Sequence, residues 1–477
     1  MPNIRRKIEY QCLVSPTRYW MKPLFLAILL CVSSASGHAS QLDDENLSDS
    51  QPNYLLPAVE MVGQHIFFNV YARLQNDDFA QITPRTMWNN LYSSWEIDED
   101  AFITNQIGHP YQGSLYFTAA RSSRVGFWGS IGYTFIGSLS WEYLMETERP
   151  SVNDLITTTI GGSLLGEVMH RLSDAIYWRD QFKPQRRARY TAAIVNPMGA
   201  FNHKILHVSS SPRKPPRIYA TWSGGYGTLV TISGLKNDRS GEVNARDQLH
   251  FAFEATYGLP GDIKYTPQEP LDHFNVAVAL DTLNGDRVGS IFIRSLIKGR
   301  KYTHKRFAGL WGLYAGQDFY TPAELRVGAL SIGFGGTGQL RIASKSFLQS
   351  TFITSFVPLG AAGQTQPIGN RDYQLGPGVM QMLELRIGQV DTGLITLTSR
   401  NIDIDRPASG TPVAVSHNAL SAELALWDRH VLGFGFIAAI AYAQVEEIVR
   451  EKGVDFGWQA RVYYQFTSDT SFGAGFR

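Results

Sequence analysis

The chain has 477 residues and a nearly balanced charge, with 43 lysines and arginines against 42 aspartates and glutamates. This balance gives no electrostatic case for a nucleic-acid partner, which needs a basic face to neutralise phosphates. The 44 glycines, the 12% of aromatic residues and the low 18% of charged residues are typical of many short, closely packed strands. The length allows two domains, or one large barrel with an attached unit.

Residues 1–39 are predicted to be a presequence that contains a secretory signal peptide. Lys22 precedes the apolar run PLFLAILLCV, and small residues follow up to an expected cleavage site near Ala39. This order of charge, apolar core and small residues is that of a secretory signal, and the apolar run is too short to span a bilayer. Met21 stands where such a signal would begin, so the start codon is either Met1 or Met21. Both cysteines lie in this presequence, so we expect no disulfide in the mature chain.

A polar linker and a first helix are predicted over residues 40–84, and a helical domain over residues 85–210. Within this domain, residues 125–145 and 150–174 are rich in apolar and small residues, and small residues let helices approach closely. These helices are too apolar to stand alone in water. We therefore expect them to pack against the periplasmic mouth of a barrel, its lumen or the surface of the inner leaflet.

His109-Pro110 lies at the start of one predicted helix. A residue before proline is disfavoured in helical geometry, and proline suits the first turn of a helix. The sequence therefore predicts an entry from a loop into a helix at this point, with His109 as a buried hinge or as a functional base or ligand.

Residues 211–477 are predicted to form an outer-membrane antiparallel β-barrel of roughly 12 strands. From about Arg217 onwards apolar and polar residues alternate, with large aromatics on one face and isolated charges on the other. In an outer-membrane barrel such charges line a polar lumen while the aromatics meet lipid; a soluble β-domain is the alternative. The residues predicted to line the lumen are Glu254, Asp281, Glu384, Arg386 and Arg461.

An ordered series of motifs marks the helical segment. It comprises WEIDEDAFITNQIGHPYQGSLYFTAARS (95–122), GSLSWEY (137–143), PSVNDL (150–155), GGSLLGE (161–167) and NPMGAFN (196–202). The series resembles an uncharacterised family of Gram-negative envelope proteins that share the domain of unknown function 3943. The resemblance covers about residues 85–205 and implies a helical unit ahead of an outer-membrane-like barrel. It implies no particular activity.

Five ionisable residues of the helical segment are candidate catalytic residues: His109, Glu142, Asp154, Glu167 and His170. Glu167 and His170 share a helix face and have the Glu-x-x-His spacing of carboxylate-bridged metal sites in helix bundles. Such sites use the motif twice, and it occurs once here, so we predict no metal and no cofactor. Pairing of buried charges explains the same residues, and the sequence offers Arg121, Arg124 and Arg171 as partners.

Three functions stay open at this point. The favoured one is an outer-membrane barrel that binds or passes lipid or a small solute, with the helical unit as a plug or docking unit. The second is an envelope enzyme that modifies lipid or glycolipid with the acid and histidine residues of the helices. The third is a structural assembly protein that recruits a partner. The expected partners are outer-membrane lipid, the barrel assembly machinery during biogenesis, and a periplasmic partner or lipid ligand at the helical domain.

Overall fold

The computed structural model describes residues 51–179, 185–206, 214–235, 242–282, 289–321, 326–368, 371–405, 412–444 and 452–468. The predicted presequence and its cleavage site lie outside the described residues. The N-terminal part of the described chain is helical, and its C-terminal part consists of strands.

The helical part, which we call the helical unit, extends from residue 55 to residue 204. Its helices are α1 (Leu55–Leu74), α2 (Pro84–Tyr92), α3 (His109–Ser122), α4 (Phe127–Leu144), α5 (Val152–Ile156), α6 (Gly162–Arg179), α7 (Arg186–Val195) and α8 (Pro197–Lys204). Two π-helical turns interrupt it, at Thr104–Gly108 before α3 and at Thr157–Gly161 after α5. Three helices begin at a capping side chain, because the side chains of Thr83, Ser151 and Asn196 each accept a backbone N–H of the first turn.

An α-helix with Pro110 in its first turn begins at His109, as predicted, but a π-helical turn and not a loop leads into it. His109 has helical geometry, with φ −63° and ψ −47°, and continues directly from the π-helical turn Thr104–Gly108. A proline inside a helix lacks an N–H donor and crowds the carbonyl four residues earlier. The wider π-helical turn immediately before Pro110 fits this need, because it changes the hydrogen-bond pattern at that point.

Twelve antiparallel strands form a closed barrel, which confirms the fold predicted from the alternating pattern. Each strand pairs with its neighbours in sequence, and β1 pairs with β12 to close the sheet. The strands are β1 (Ile218–Leu235), β2 (Glu242–Tyr257), β3 (Phe274–Thr282), β4 (Ser290–His304), β5 (Phe307–Tyr320), β6 (Val327–Arg341), β7 (Ser346–Ile368), β8 (Arg371–Gln389), β9 (Gly393–Ile404), β10 (Val413–Trp427), β11 (His430–Gln444) and β12 (Lys452–Thr467).

The two faces of the barrel wall have opposite chemistry. Along β8, Leu383 and Ile387 are exposed on the outer face, whereas Glu384 and Arg386 are buried on the inner face, as successive residues of a strand must alternate. The same alternation in the paired strands puts all the residues predicted to line the lumen on the inner face: Glu254, Asp281, Glu384, Arg386 and Arg461.

Charged side chains meet across the barrel interior. Nη2 of Arg386 on β8 lies 2.5 Å from Oε1 of Glu254 on β2, although these strands are on opposite sides of the barrel. Arg294 and Asp318 form a second buried ion pair at 2.5 Å. In each pair the guanidinium and the carboxylate neutralise one another, as buried charges require.

Apolar clusters lie at both ends of this interior. At the end where β1 begins, Leu259 of the β2–β3 loop packs against the inward-facing Tyr219 and Phe347. At the other end, inward-facing side chains including Tyr320 and Ile404 form a separate buried cluster. Buried side chains therefore occupy the interior at both ends and between them.

The helical unit packs on the outer wall of the barrel. Phe253 shares the outer face of β2 with the exposed Phe251, yet it is buried in a cluster that includes Phe117 and Phe127 of the helices. Phe102 stacks on Phe319 with ring centroids 5.7 Å apart. The covered part of the wall runs from β1 to β8. The helical unit thus packs outside the barrel and does not fill the lumen. The outer face of the wall is apolar, so it can cover the apolar faces of the helices.

Candidate acid–histidine site

The helical unit holds a buried group of acidic side chains around one histidine. Asp98, His109 and Asp154 each bring one oxygen or nitrogen within 4.8 Å of those of the other two. Nε2 of His109 lies 3.3 Å from Oδ1 of Asp154 and 3.8 Å from Oδ2 of Asp100. We call Asp98, His109 and Asp154 the acid–histidine site. His109 and Asp154 are both buried, so their charges need partners within the protein.

Two irregular helical segments position these side chains. His109 directly follows the π-helical turn Thr104–Gly108. Asp154 lies in the short helix that ends at Ile156, just before the second π-helical turn, Thr157–Gly161. A π-helical turn inserts one extra residue into a helix and so redirects the side chains beside it, which is why such turns are frequent at functional sites. The two segments meet where Gly113 faces Gly162, at a distance that leaves no room for a side chain.

Amide groups orient the two carboxylates. Nδ2 of Asn105 and Nδ2 of Asn153 each donate to Oδ1 of Asp98 at 2.9 Å, and Nδ2 of Asn153 also lies 3.0 Å from Oδ1 of Asp154. Asn105 additionally donates to the Tyr373 hydroxyl of the barrel at 2.6 Å. The hydrogen-bond network therefore links the site to the barrel wall.

Burial and neighbouring groups shift the pKa values of all three side chains of the site. Burial raises the pKa of Asp154 well above its ordinary value, and the adjacent Asp98 raises it further. Burial also opposes ionisation of Asp98, but hydrogen bonds from Asp154 and Asn105 outweigh it and lower the pKa of Asp98. Burial disfavours the charged form of His109 too, yet the neighbouring Asp100 and Asp98 outweigh it and raise its pKa. A protonated acid beside a carboxylate and an imidazole can exchange a proton or hold a cation.

Glu142 lies beside this site and is held by the backbone. Its Oε2 accepts the N–H of Ser151 at 2.8 Å, while Glu146 accepts the indole N–H of Trp141 at 2.5 Å. Burial, and then the proximity of Glu146, raises the pKa of Glu142 to about 9. Burial likewise raises the pKa of Glu146 to about 8. Both side chains are therefore protonated near neutral pH.

Glu167 and His170 belong to a different cluster. Glu167 binds Arg121 at 2.7 Å and Arg171 at 2.7 Å, and these arginines outweigh the effect of burial and lower its pKa to about 2. His170 lies 3.4 Å from Asp174. The structure thus brings His109, Glu142 and Asp154 together and separates them from the Glu-x-x-His pair, whose glutamate is engaged by two guanidinium groups.

Sequence reasoning missed Asp98, Asp100, Glu146, Asn105 and Asn153. The acidic string EIDED in residues 96–100 was visible, but an acidic string is usually a solvated loop. Only the fold shows that one of its carboxylates turns inward to Asn105 and Asn153.

A closed barrel of twelve antiparallel strands with an apolar outer face and a polar inner face has the architecture of outer-membrane barrels. Residues 94–198 match a domain of unknown function, DUF3943, which confirms the resemblance carried by the sequence motifs. A comparison with curated proteins gives no match.

Solved barrels are similar to part of the chain. The NanC porin is 5% identical with a TM-score of 0.23, covering 49% of this chain and 98% of that chain. The outer-membrane channel DcaP of Acinetobacter baumannii is 8% identical with a TM-score of 0.23, covering 52% and 96%. Pseudomonas aeruginosa OpdQ is 9% identical with a TM-score of 0.21, covering 52% and 98%. Likeness at this level concerns the barrel fold alone.

Proposed function

We propose that this protein is an outer-membrane barrel whose helical unit binds lipid beside the barrel wall, and that it is not an open channel. The observation that carries this proposal is the position of the helical unit on the outer face of β1–β8, beside a barrel whose interior holds ion pairs and apolar clusters. The barrel assembly machinery remains the predicted partner for insertion.

The bare part of the wall supports a lipid environment. On β10 and β11, Leu424 and Phe434 are more than half exposed, and Phe436 lies beside them on the same face. A contiguous apolar patch on a protein surface marks a contact with another molecule or with a membrane. On the outer face of a barrel with a polar interior, that contact is lipid.

Helix α1 supports the same environment for the helical unit. It buries polar residues, including Glu60, Gln64 and Asn69, and exposes apolar ones. The exposed stripe comprises Leu55, Val59, Val62, Ile66, Val70 and Leu74, spaced so that they share one helix face. This is the reverse of a helix that faces water. Among the described helices, none has both the length and the apolar character to cross a membrane by itself. We therefore place α1 against lipid alongside the barrel.

Spin-label accessibility tests this placement. A single cysteine replaces Ile66 in a chain whose native cysteines are removed, and the matched control carries it at Arg85, which is exposed on α2. In proteoliposomes we expect the Ile66 label to be more accessible to apolar oxygen than to an aqueous nickel chelate, and the Arg85 label to show the opposite preference. Aqueous accessibility at both positions would refute lipid contact by α1. A gel-mobility shift between boiled and unboiled samples verifies that each variant holds a closed barrel.

A planar-bilayer recording tests whether the barrel conducts. The ion pairs and end clusters predict no steady porin-like conductance. A stable open level in the wild-type protein would contradict the proposal and restore passage of a small solute.

The second candidate is an enzyme that modifies lipid or glycolipid, favoured by the buried His109 whose Nε2 lies 3.3 Å from Oδ1 of Asp154, next to Asp98. We expect a modified lipid by mass spectrometry when the wild-type protein is incubated with outer-membrane lipid, and none with Asp154→Asn. Identical lipid profiles for the two proteins would remove this candidate.

A further inference from the structure

The donor atoms of the acid–histidine site have the spacing of a metal-binding site. One atom each from Asp98, His109 and Asp154 lies within 4.8 Å of the others. A tetrahedral Zn²⁺ ion with ligands at about 2.1 Å separates neighbouring donor atoms by about 3.4 Å. The distance between Nε2 of His109 and Oδ1 of Asp154, 3.3 Å, matches that separation.

His109 provides an independent indication of a ligand. It is only 7% exposed, and its Nε2 atom has no hydrogen-bond partner, although it points to Asp154 at 3.3 Å and Asp100 at 3.8 Å. Neither contact has the geometry of a hydrogen bond. Buried imidazole nitrogens are normally satisfied, and a bound cation would satisfy this one.

The surrounding amides hold the carboxylates as metal ligands are commonly held. Asn105 and Asn153 donate to Asp98, and Asn153 contacts Asp154 as well. Hydrogen bonds of this kind fix the direction of ligating side chains and maintain affinity. Ser151 contributes as the cap of the helix that carries Asp154, with its hydroxyl accepting the Asp154 N–H at 3.2 Å.

The charge and the opening of the site favour a cation. The imidazole of His109 lies near the carboxyl groups of Asp98 and Asp100. Asp100 is 44% exposed in its side chain, so the buried site has an acidic opening. Acidic groups at the mouth of a buried site raise the local concentration of cations.

We propose that Asp98, His109 and Asp154 bind one divalent transition-metal ion, with Zn²⁺ favoured by the combination of one imidazole and two carboxylates. An imidazole ligand favours Zn²⁺ and related ions over Mg²⁺ and Ca²⁺, which prefer oxygen alone. Three protein ligands leave a fourth position for water, the arrangement of catalytic zinc sites. This inference revises the sequence-based expectation of no metal, which considered only Glu167 and His170. It is independent of the lipid contact proposed above, because binding is measured in detergent.

Calorimetric titration of the metal-stripped, full-length protein with Zn²⁺ tests the site. We expect one Zn²⁺ per chain and at least a 100-fold loss of affinity in both His109→Gln and Asp154→Asn. The matched control is Glu99→Gln, an exposed acid next to the site, which is expected to change the affinity less than threefold. Excess Mg²⁺ is expected not to compete.

Cobalt provides a second readout that folding defects do not mimic. Co²⁺ bound tetrahedrally gives an intense visible absorption, which we expect in wild type and Glu99→Gln and not in His109→Gln. Circular dichroism and gel mobility identify any variant that fails to fold. Absence of Zn²⁺ binding by the folded wild-type protein would overturn the proposal. Equal Zn²⁺ affinity in wild type, His109→Gln and Asp154→Asn would overturn it as well.

Discussion

Replacing Arg171 by methionine is expected to loosen the helical unit from the barrel. Arg171 binds Oε1 of Glu167 through Nε and Oδ1 of Asp272 through Nη1, both at 2.7 Å, and the carbonyl of Pro270 at 2.8 Å. Asp272 and Pro270 lie in the loop between β2 and β3. Arg171→Met therefore cuts the ion pairs that join α6 to the barrel while it preserves apolar bulk.

The cost follows from what each partner retains. Removing one member of a buried ion pair typically costs about 3–5 kcal/mol, because the other charge stays buried without a partner. Here Glu167 keeps Arg121 at 2.7 and 3.2 Å, and Asp272 keeps two backbone N–H groups at 2.7 and 3.0 Å. We therefore expect the lower end, about 3 kcal/mol. For a unit of this size the melting temperature falls by about 2–4 °C per kcal/mol, which gives about 6–12 °C.

Thermal melting at 222 nm in detergent measures this loss, because the helical unit dominates the signal at that wavelength. The matched control is Arg187→Met on the exposed face of α7, which is expected to stay within about 0.5 kcal/mol of wild type. The gel-mobility shift of the barrel is expected to persist in both. If Arg171→Met and Arg187→Met had the same melting temperature, the ion pairs would not hold the helical unit to the barrel wall. The apolar interface alone would then hold it.

Three further changes test other parts of the molecule. Burial raises the pKa of Glu142 from 4.5 to about 9, so the folded state keeps a proton that the unfolded state releases, and stability falls as the pH rises between these values. Glu142→Gln is expected to reduce this fall in melts from pH 6 to 9, and an unchanged slope would contradict the assignment. A Cβ on Gly113 would lie 2.0 Å from a backbone carbonyl of the facing segment, so Gly113→Ala is expected to destabilise the helices by about 3 kcal/mol or more. Gly132→Ala, which meets nothing within 4 Å, is expected to be neutral or stabilising, and equal melting of the two alanine variants would refute the close contact. Arg386→Met leaves Glu254 without its ion pair inside the lumen and is expected to lower the temperature at which the barrel loses its fast gel mobility; no change would show that the lumen pairs do not stabilise the barrel.

The strands could be read from the sequence because their alternation is local. Each residue of a strand points to the face opposite its neighbour, so Glu384 and Arg386 share one face whatever surrounds the barrel. The motif series of the helical segment was equally visible, and its resemblance to the domain of unknown function is confirmed over residues 94–198.

The composition of the candidate site could not be read in the same way. His109, Glu142 and Asp154 were chosen as ionisable residues among apolar helices, and Glu167 and His170 were grouped with them on that ground. Helical periodicity is regular, whereas the π-helical turns before His109 and after Asp154 shift the side chains out of it.

The sequence by itself determined strands with one apolar and one charged face, because that pattern repeats every two residues and needs no knowledge of distant segments. Closure of the barrel through the pairing of β1 with β12 was decided by the tertiary structure. Only the tertiary structure decided that the helical unit covers the outer wall at Phe253 and Phe319. An outward-facing apolar side chain is satisfied equally by lipid or by an apolar helix, so its pattern is the same in either case. The tertiary structure likewise decided that Asp98 turns inward to meet His109 and Asp154, since contacts between distant segments depend on how whole helices pack and not on any local spacing.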